Sequence, residues 1–185
     1  MKIDLLFFSP QDVGKAILHK AAYDLAKSLS KWKSHKYVTS LVYCGTKPMW
    51  DFVSDCEGMT PIDGIQLSSY DGDEYGDDTI HRHDLTEMVS FMLWENDDGS
   101  VVAFNAICLQ CGLSFTVTIH VEYDDEKGCD TFVATMVSSK IHGYDDVWND
   151  SLQLRTYIIT KIGAIVHEII ANANVGKWNS DGDDE

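Results

Sequence analysis

The sequence predicts an α+β fold: a mainly antiparallel β-meander packed against an N-terminal helix and a long C-terminal helix. Three observations predict it. Apolar residues recur every four positions near the N-terminus, at Val13, Ile17, Ala21, Leu25 and Leu29. Between Glu87 and Lys140, four β-rich runs are separated only by short turns. Past residue 150, Leu154, Ile158, Ile162, Ile165 and Ile169 form a second helical stripe, widened by Ile159, Val166 and Ile170.

Taken in order, Ile3–Phe8 reads as a short buried strand. Ser9-Pro10-Gln11-Asp12 supplies a helix start, with Ser9 as N-cap, Pro10 at the first helical position and Asp12 near the free amides. This helix is expected to reach about Trp32, with Lys20, Lys27 and Lys31 on the face opposite its apolar stripe. Lys36–Cys44 reads as a second strand. From Gly45 to Asp84 glycines, prolines and acids erase any period, and a long irregular stretch is expected there.

The meander then comprises Glu87–Glu95, Ser100–Leu109, Leu113–Tyr123 and Cys129–Lys140. In the third run Leu113, Phe115, Val117, Ile119, Val121 and Tyr123 alternate with Ser114, Thr116, Thr118, His120 and Glu122, the pattern of a strand with one wet face. Asp98-Gly99 is a hairpin-turn signal. A loop over Gly143–Asp150 precedes a helix from Ser151 to Asn174, in which Gly163 is expected to approach the sheet closely. One domain over 1–178 and a disordered acidic tail over 179–185 complete the organisation.

Charge is segregated along this chain. Residues 1–47 hold eight lysines against three aspartates, while the other 138 hold 27 carboxylates against six Lys or Arg, giving −16 overall. Such asymmetry bears on solubility, association and partner choice rather than on fold. Five cysteines at irregular spacing make a poor disulfide framework and suit a reducing cytoplasm. Asp4 interrupts the N-terminal apolar run, against a signal peptide. The apolar region Tyr157–Ala171, broken by Lys161, His167 and Glu168, is read as too short and too charged to span a bilayer.

Several motifs begin and do not finish. His167-Glu168 opens like a zinc-protease helix, but Ala171 stands where the second histidine is needed, so His167 reads as an ordinary helix residue. Val13-Gly14-Lys15-Ala16 lacks the upstream glycine and the Ser or Thr of a phosphate loop. Asp71, Asp73, Tyr75 and Gly76 match half a calcium loop, yet Arg82 occupies the position of the bidentate Glu. Cys108-Leu-Gln-Cys111-Gly112 is half a zinc knuckle with no second pair, and it reads as two small buried residues at a turn. His81, Arg82, His83 and Asp84 form no complete catalytic or metal set. No cofactor is expected.

In a four-strand meander the first and third turns lie at one end. Glu95, Asp97 and Asp98 are therefore expected to converge with Asp124, Asp125 and Glu126. The opposite end would receive Asp71, Asp73, Glu74, Asp77 and Asp78 together with Asp145, Asp146 and Asp150. These acidic rims suggest a non-enzymatic interaction protein that occupies a basic, nucleic-acid-binding surface of a partner, as DNA-mimic and immunity-type inhibitors do. One alternative is a nucleic-acid-binding protein using Lys20, Lys27 and Lys31 with Lys33, Lys36 and Trp32. Another is an enzyme whose site lies between Cys44 and Asp84, with His81, His83 and Asp84 as its candidates. A homodimer, pairing the lysine stripe with an acidic rim, is a further expectation; a membrane partner is not.

Overall fold

A computed structural model describes residues 9–29, 38–42, 58–70 and 85–180. The fold is α+β. Its elements are α1 (Pro10–Leu29), β1 (Val38–Val42), β2 (Met59–Tyr70), β3 (Leu85–Asn96), β4 (Val102–Cys108), β5 (Leu113–Asp124), β6 (Cys129–Lys140), α2 (Asp145–Asp150) and α3 (Leu152–Ser180). The six strands form one antiparallel sheet in sequence order, β1-β2-β3-β4-β5-β6. Among the described residues β6 is therefore one edge.

The start of α1 follows its sequence signals. Ser9 Oγ accepts from the Asp12 amide at 3.4 Å and donates to the Asp12 carboxylate at 3.1 Å, satisfying one of the free helix amides. Val13, Ile17, Ala21 and Leu25 are fully buried. Gly14 faces the sheet: a Cβ there would stand 2.7 Å from Leu93 Cδ1 and 2.8 Å from Val102 Cγ1. The glycine lets the helix backbone settle on β3 and β4.

Strand β2 corrects the expectation of an irregular stretch from Gly45 to Asp84. Pro61, Asp63 and Gly64 break any period in the sequence, and the register with β3 slips between Pro61 and Asp63. The neighbouring β1 pairs only with Gln66–Ser69. Pro61 therefore lies where no β1 partner needs its missing N–H, a position a strand proline tolerates. Tyr70 and Leu85 close the β2–β3 ladder. Ile3–Phe8, Gly45–Glu57, Asp71–Asp84 and residues 181–185 are outside the described residues.

Both long helices lie on one face of the sheet, and one apolar cluster joins them to it through Phe91, Phe104, Leu113, Val117, Ile158 and Ile162. The alternation expected for β5 holds from Leu113 to His120. It ends there: Val121 and Tyr123, expected in the core, are exposed, although Phe132, opposite Val121, is buried and bonded to Asn174 of α3. On the other face, Met92, Trp94 and Ala103 form a small separate cluster with Met59. Every residue of β4 is buried.

The expected loop over Gly143–Asp150 contains α2, a six-residue helix with no buried residue and hence no apolar period to betray it. Helix α3 runs on to Ser180, past the last apolar stripe residue. Gly163 does not approach the sheet, since a Cβ there would meet nothing within 4 Å. The apolar length of α3 is also greater than expected: Leu152–Val175 spans 24 residues at a mean hydropathy of 1.2, enough by length and composition to cross a membrane. Leu154, Ile158, Ile162, Ile165, Val166, Ile169 and Ala173 on this helix are core residues.

Candidate functional site

The turns that carry the acids are built by the acids themselves. In the β3–β4 turn the Asn96 amide donates to Val101 O at 3.1 Å and the Gly99 amide to Asn96 O at 3.1 Å. Asp98 accepts from the Ser100 amide at 3.0 Å and the Ser100 hydroxyl at 2.6 Å. Those bonds, the hydroxyl first, hold the Asp98 carboxyl below its ordinary value. Gly99 takes a φ of 71°, the left-handed conformation this turn requires. Glu95 accepts from Gln11 Nε2 at 3.1 Å, and the same amide donates to Gly99 O at 2.8 Å. The first turn of α1 is thus tied to the acidic turn.

The β5–β6 turn uses Asp124 in the same way. Its Oδ1 accepts from the Glu126 amide at 3.0 Å and the Lys127 amide at 3.1 Å, and Lys127 Nζ lies 3.5 Å from Oδ2. The amide bonds and the adjacent ammonium hold the Asp124 carboxyl below its ordinary range. Of the six carboxylates at this end, Glu95, Asp98 and Asp124 are therefore committed to local structure. Asp97, Asp125 and Glu126 are exposed, and their carboxylates take part in none of these turn contacts.

The two turns do share one end of the sheet, but their convergence is looser than expected. Glu95, Val102, Ile119 and Ala134 stand in one row across the strands. The β3–β4 ladder closes one residue beyond that row, at Asn96–Val101; β5–β6 continues five residues, to Asp124–Cys129. The second turn thus overhangs the first by four rows, about 13 Å at about 3.3 Å per residue. The end presents two acidic tips rather than one patch, and the longer tip also exposes Tyr123.

At the opposite end, Asp145 and Asp146 open α2 and are exposed. Asp145 receives a bond from Lys140 Nζ, which holds its carboxyl low. Asp71, Asp73, Glu74, Asp77 and Asp78 lie outside the described residues. So do His81, His83 and Asp84, and the Lys31, Trp32, Lys33 and Lys36 part of the basic stripe. Lys20 lies 3.8 Å from Glu168 on α3, so the stripe begins against an acid of its own chain.

Cys108 and Cys111 flank the β4–β5 turn as buried thiols outside any disulfide. Cys111 Sγ lies 3.9 Å from Cys108 O. Hydrogen bonding to Cys108, then burial, pushes the Cys111 thiol far above its ordinary value, which disfavours the thiolate that metal binding or redox attack needs. Among the described residues, no three His, Cys, Asp or Glu side chains gather as metal ligands would.

Sequence reasoning missed three features. Arg155 is 8% exposed, donates to Trp148 O at 2.5 Å and stacks 3.6 Å above the Trp148 ring. Asn174 pairs with the backbone of Phe132, accepting from its N–H at 2.7 Å and donating to its C=O at 3.1 Å. Trp94 Nε1 is buried with no hydrogen-bond partner among the described residues. The first two have no linear signature, because each contact joins residues from separate elements. Comparison with protein-family models, curated proteins and solved structures finds no match for this chain.

Proposed function

We propose that the protein is an acidic, non-enzymatic interaction protein that occupies a basic surface of a nucleic-acid-binding partner. The observation that carries this reading is the pair of carboxylate-bearing turns at one end of the sheet. Fixed hairpins space their charges, much as a duplex spaces phosphates. Asp98 and Asp124 hold the turn backbones, and Asp97, Asp125 and Glu126 offer charge to the partner. Fixing the turn backbones that carry these carboxylates before association lowers the conformational cost of binding. Asp145 and Asp146 supply negative charge at the far end, with Asp71, Asp73, Glu74, Asp77 and Asp78 assigned to that rim by sequence alone. The mechanism is electrostatic steering followed by occlusion of a cationic groove. A reducing cytoplasm is the proposed setting, in keeping with Cys108 and Cys111 standing outside any disulfide.

The test is capture of partners from lysate with elution along a salt gradient, using the native chain beside an Asp97→Lys, Asp125→Lys, Glu126→Lys variant. A basic nucleic-acid-binding protein retained by the native chain, released at moderate salt and lost by the variant, supports the reading. Retention that is indifferent to the reversals sinks it. Reversing Asp98 and Asp124 is a poorer experiment, because their carboxylates make the turns.

A further inference from the structure

We propose that β6 is a self-association edge, on which a second copy of this chain pairs antiparallel about a two-fold axis at Val137. The direction of the backbone groups comes from two contacts. Phe132 gives both its N–H and its C=O to Asn174 rather than to β5, so its groups point outward from the sheet. The Ile141 amide donates inward to Gly112 O at 2.8 Å. The β5–β6 register has no bulge between Leu113 and Asp124, so even-numbered residues of β6 present their N–H and C=O at the outer edge.

That edge is long and open. Thr135 to Lys140 are all exposed, with Val137 at 59% and Met136 at 36%. The strand contains no proline, and no charged residue occurs from Thr131 to Ser139. Proteins usually blunt such an edge with charge, proline, a bulge or a cover. Among the described residues the blunting contact at the outer edge is Asn174, and it is made to Phe132.

For a second copy this placement selects the register. In a two-fold antiparallel pairing, opposed residues share a face, so their numbers sum to an even value. A centre at Met136 would set Lys140 of the second copy against Phe132, where Asn174 already sits. A centre at Ser138 would leave Ala134 unpaired. A centre at Val137 fits: the free ladder, bounded by Asn174 at one end and by the strand end at Lys140 at the other, pairs wholly with itself. Ala134 then exchanges backbone bonds with Lys140 of the second copy, and Met136 with Ser138.

The side chains agree with this register. Val137 meets its own counterpart in a non-hydrogen-bonded position, where side chains approach most closely, and Thr135 meets Ser139; both are favourable cross-strand pairs. Two chains of charge −16 repel, so an interface between copies must avoid carboxylates, and this edge carries none between Thr131 and Ser139. Self-association should accordingly strengthen as salt is raised, opposite in sign to binding of a cationic partner.

The test is sedimentation of the full chain from about 1 to 500 μM at low and high salt, with Val137→Lys and Val137→Cys variants. The expected results are a monomer–dimer equilibrium favoured by salt and a dimer weakened about tenfold or more by Val137→Lys, which puts two ammoniums on the axis. Under mild oxidation Val137→Cys should cross-link, because Cα atoms about 4.5 Å apart suit a disulfide, while an Asp125→Cys control should not. Circular dichroism checks the folding of each variant. A monomer at every concentration, a dimer indifferent to Val137→Lys, or no excess cross-linking at position 137 would each overturn the proposal.

Discussion

Replacing Asn174 by alanine tests how α3 is fastened to the sheet. The side chain makes two hydrogen bonds to Phe132, at 2.7 and 3.1 Å, across 42 residues of sequence. Each is worth about 0.5–1.5 kcal/mol net, and an orphaned backbone group that water reaches poorly costs about 1–3 kcal/mol. Asn174 is half-buried and Phe132 is buried, so water replaces part of what is lost, and a destabilisation of about 1–3 kcal/mol is expected. Alanine is also the better helix former, by a few tenths of a kcal/mol. Asn172→Ala, at an exposed position on the same helix, gains that propensity without losing a contact and is the reference. For a chain of this size about 2–4 °C of Tm accompanies each kcal/mol, so Asn174→Ala should melt about 2–12 °C below Asn172→Ala. Hydrogen exchange should show the Phe132 amide losing protection. Equal Tm values for the two variants, with an unchanged Phe132 amide, would refute the role given to Asn174.

Other expectations follow from the same geometry. Gly14→Val should cost about 2–3 kcal/mol in urea denaturation, since overpacking against Leu93 and Val102 outweighs a helix-propensity gain of under about 1 kcal/mol. The Asp98 and Asp124 carboxyls sit below the ordinary 3.8. Their stabilisation is therefore complete above about pH 3.8 and is lost as pH falls through the lower folded values; Asp98→Asn should flatten that acid limb in a pH titration of Tm. In thiol labelling at pH 8 read by peptide mapping, Cys129 should react ahead of Cys108 and Cys111 in the native protein, and all three should react in denaturant.

The elements that were legible carry a period or a cap of their own. Ser9, Pro10 and Asp12 mark the start of α1, and the alternation from Leu113 to His120 marks β5, because each signal is local and repeats. Strand β2 was illegible: Pro61 and Gly64 are breakers in isolation, and their tolerance depends on β1 being too short to pair there. Helix α2 was missed because six residues packed only at half-buried Trp148 leave no periodicity. Val121 and Tyr123 were assigned to the core by alternation, yet alternation gives only a shared face and not whether a helix reaches over it.

The candidate site divides along the same line. Sequence alone determined that the chain is acidic, that its acids crowd into turns, and that the first and third turns of the meander share an end, since strand order follows from short antiparallel connections. Only the tertiary structure decided that the tips are offset by four rows, that the Asp98 and Asp124 carboxylates are spent on the turns, and that the carboxylates of Asp97, Asp125 and Glu126 are not. It also decided which part of the β6 edge is covered, through a side chain from α3. Periodicity and charge are properties of neighbours along the chain, whereas register, overhang and edge protection depend on which distant residues meet, and a linear pattern does not encode that.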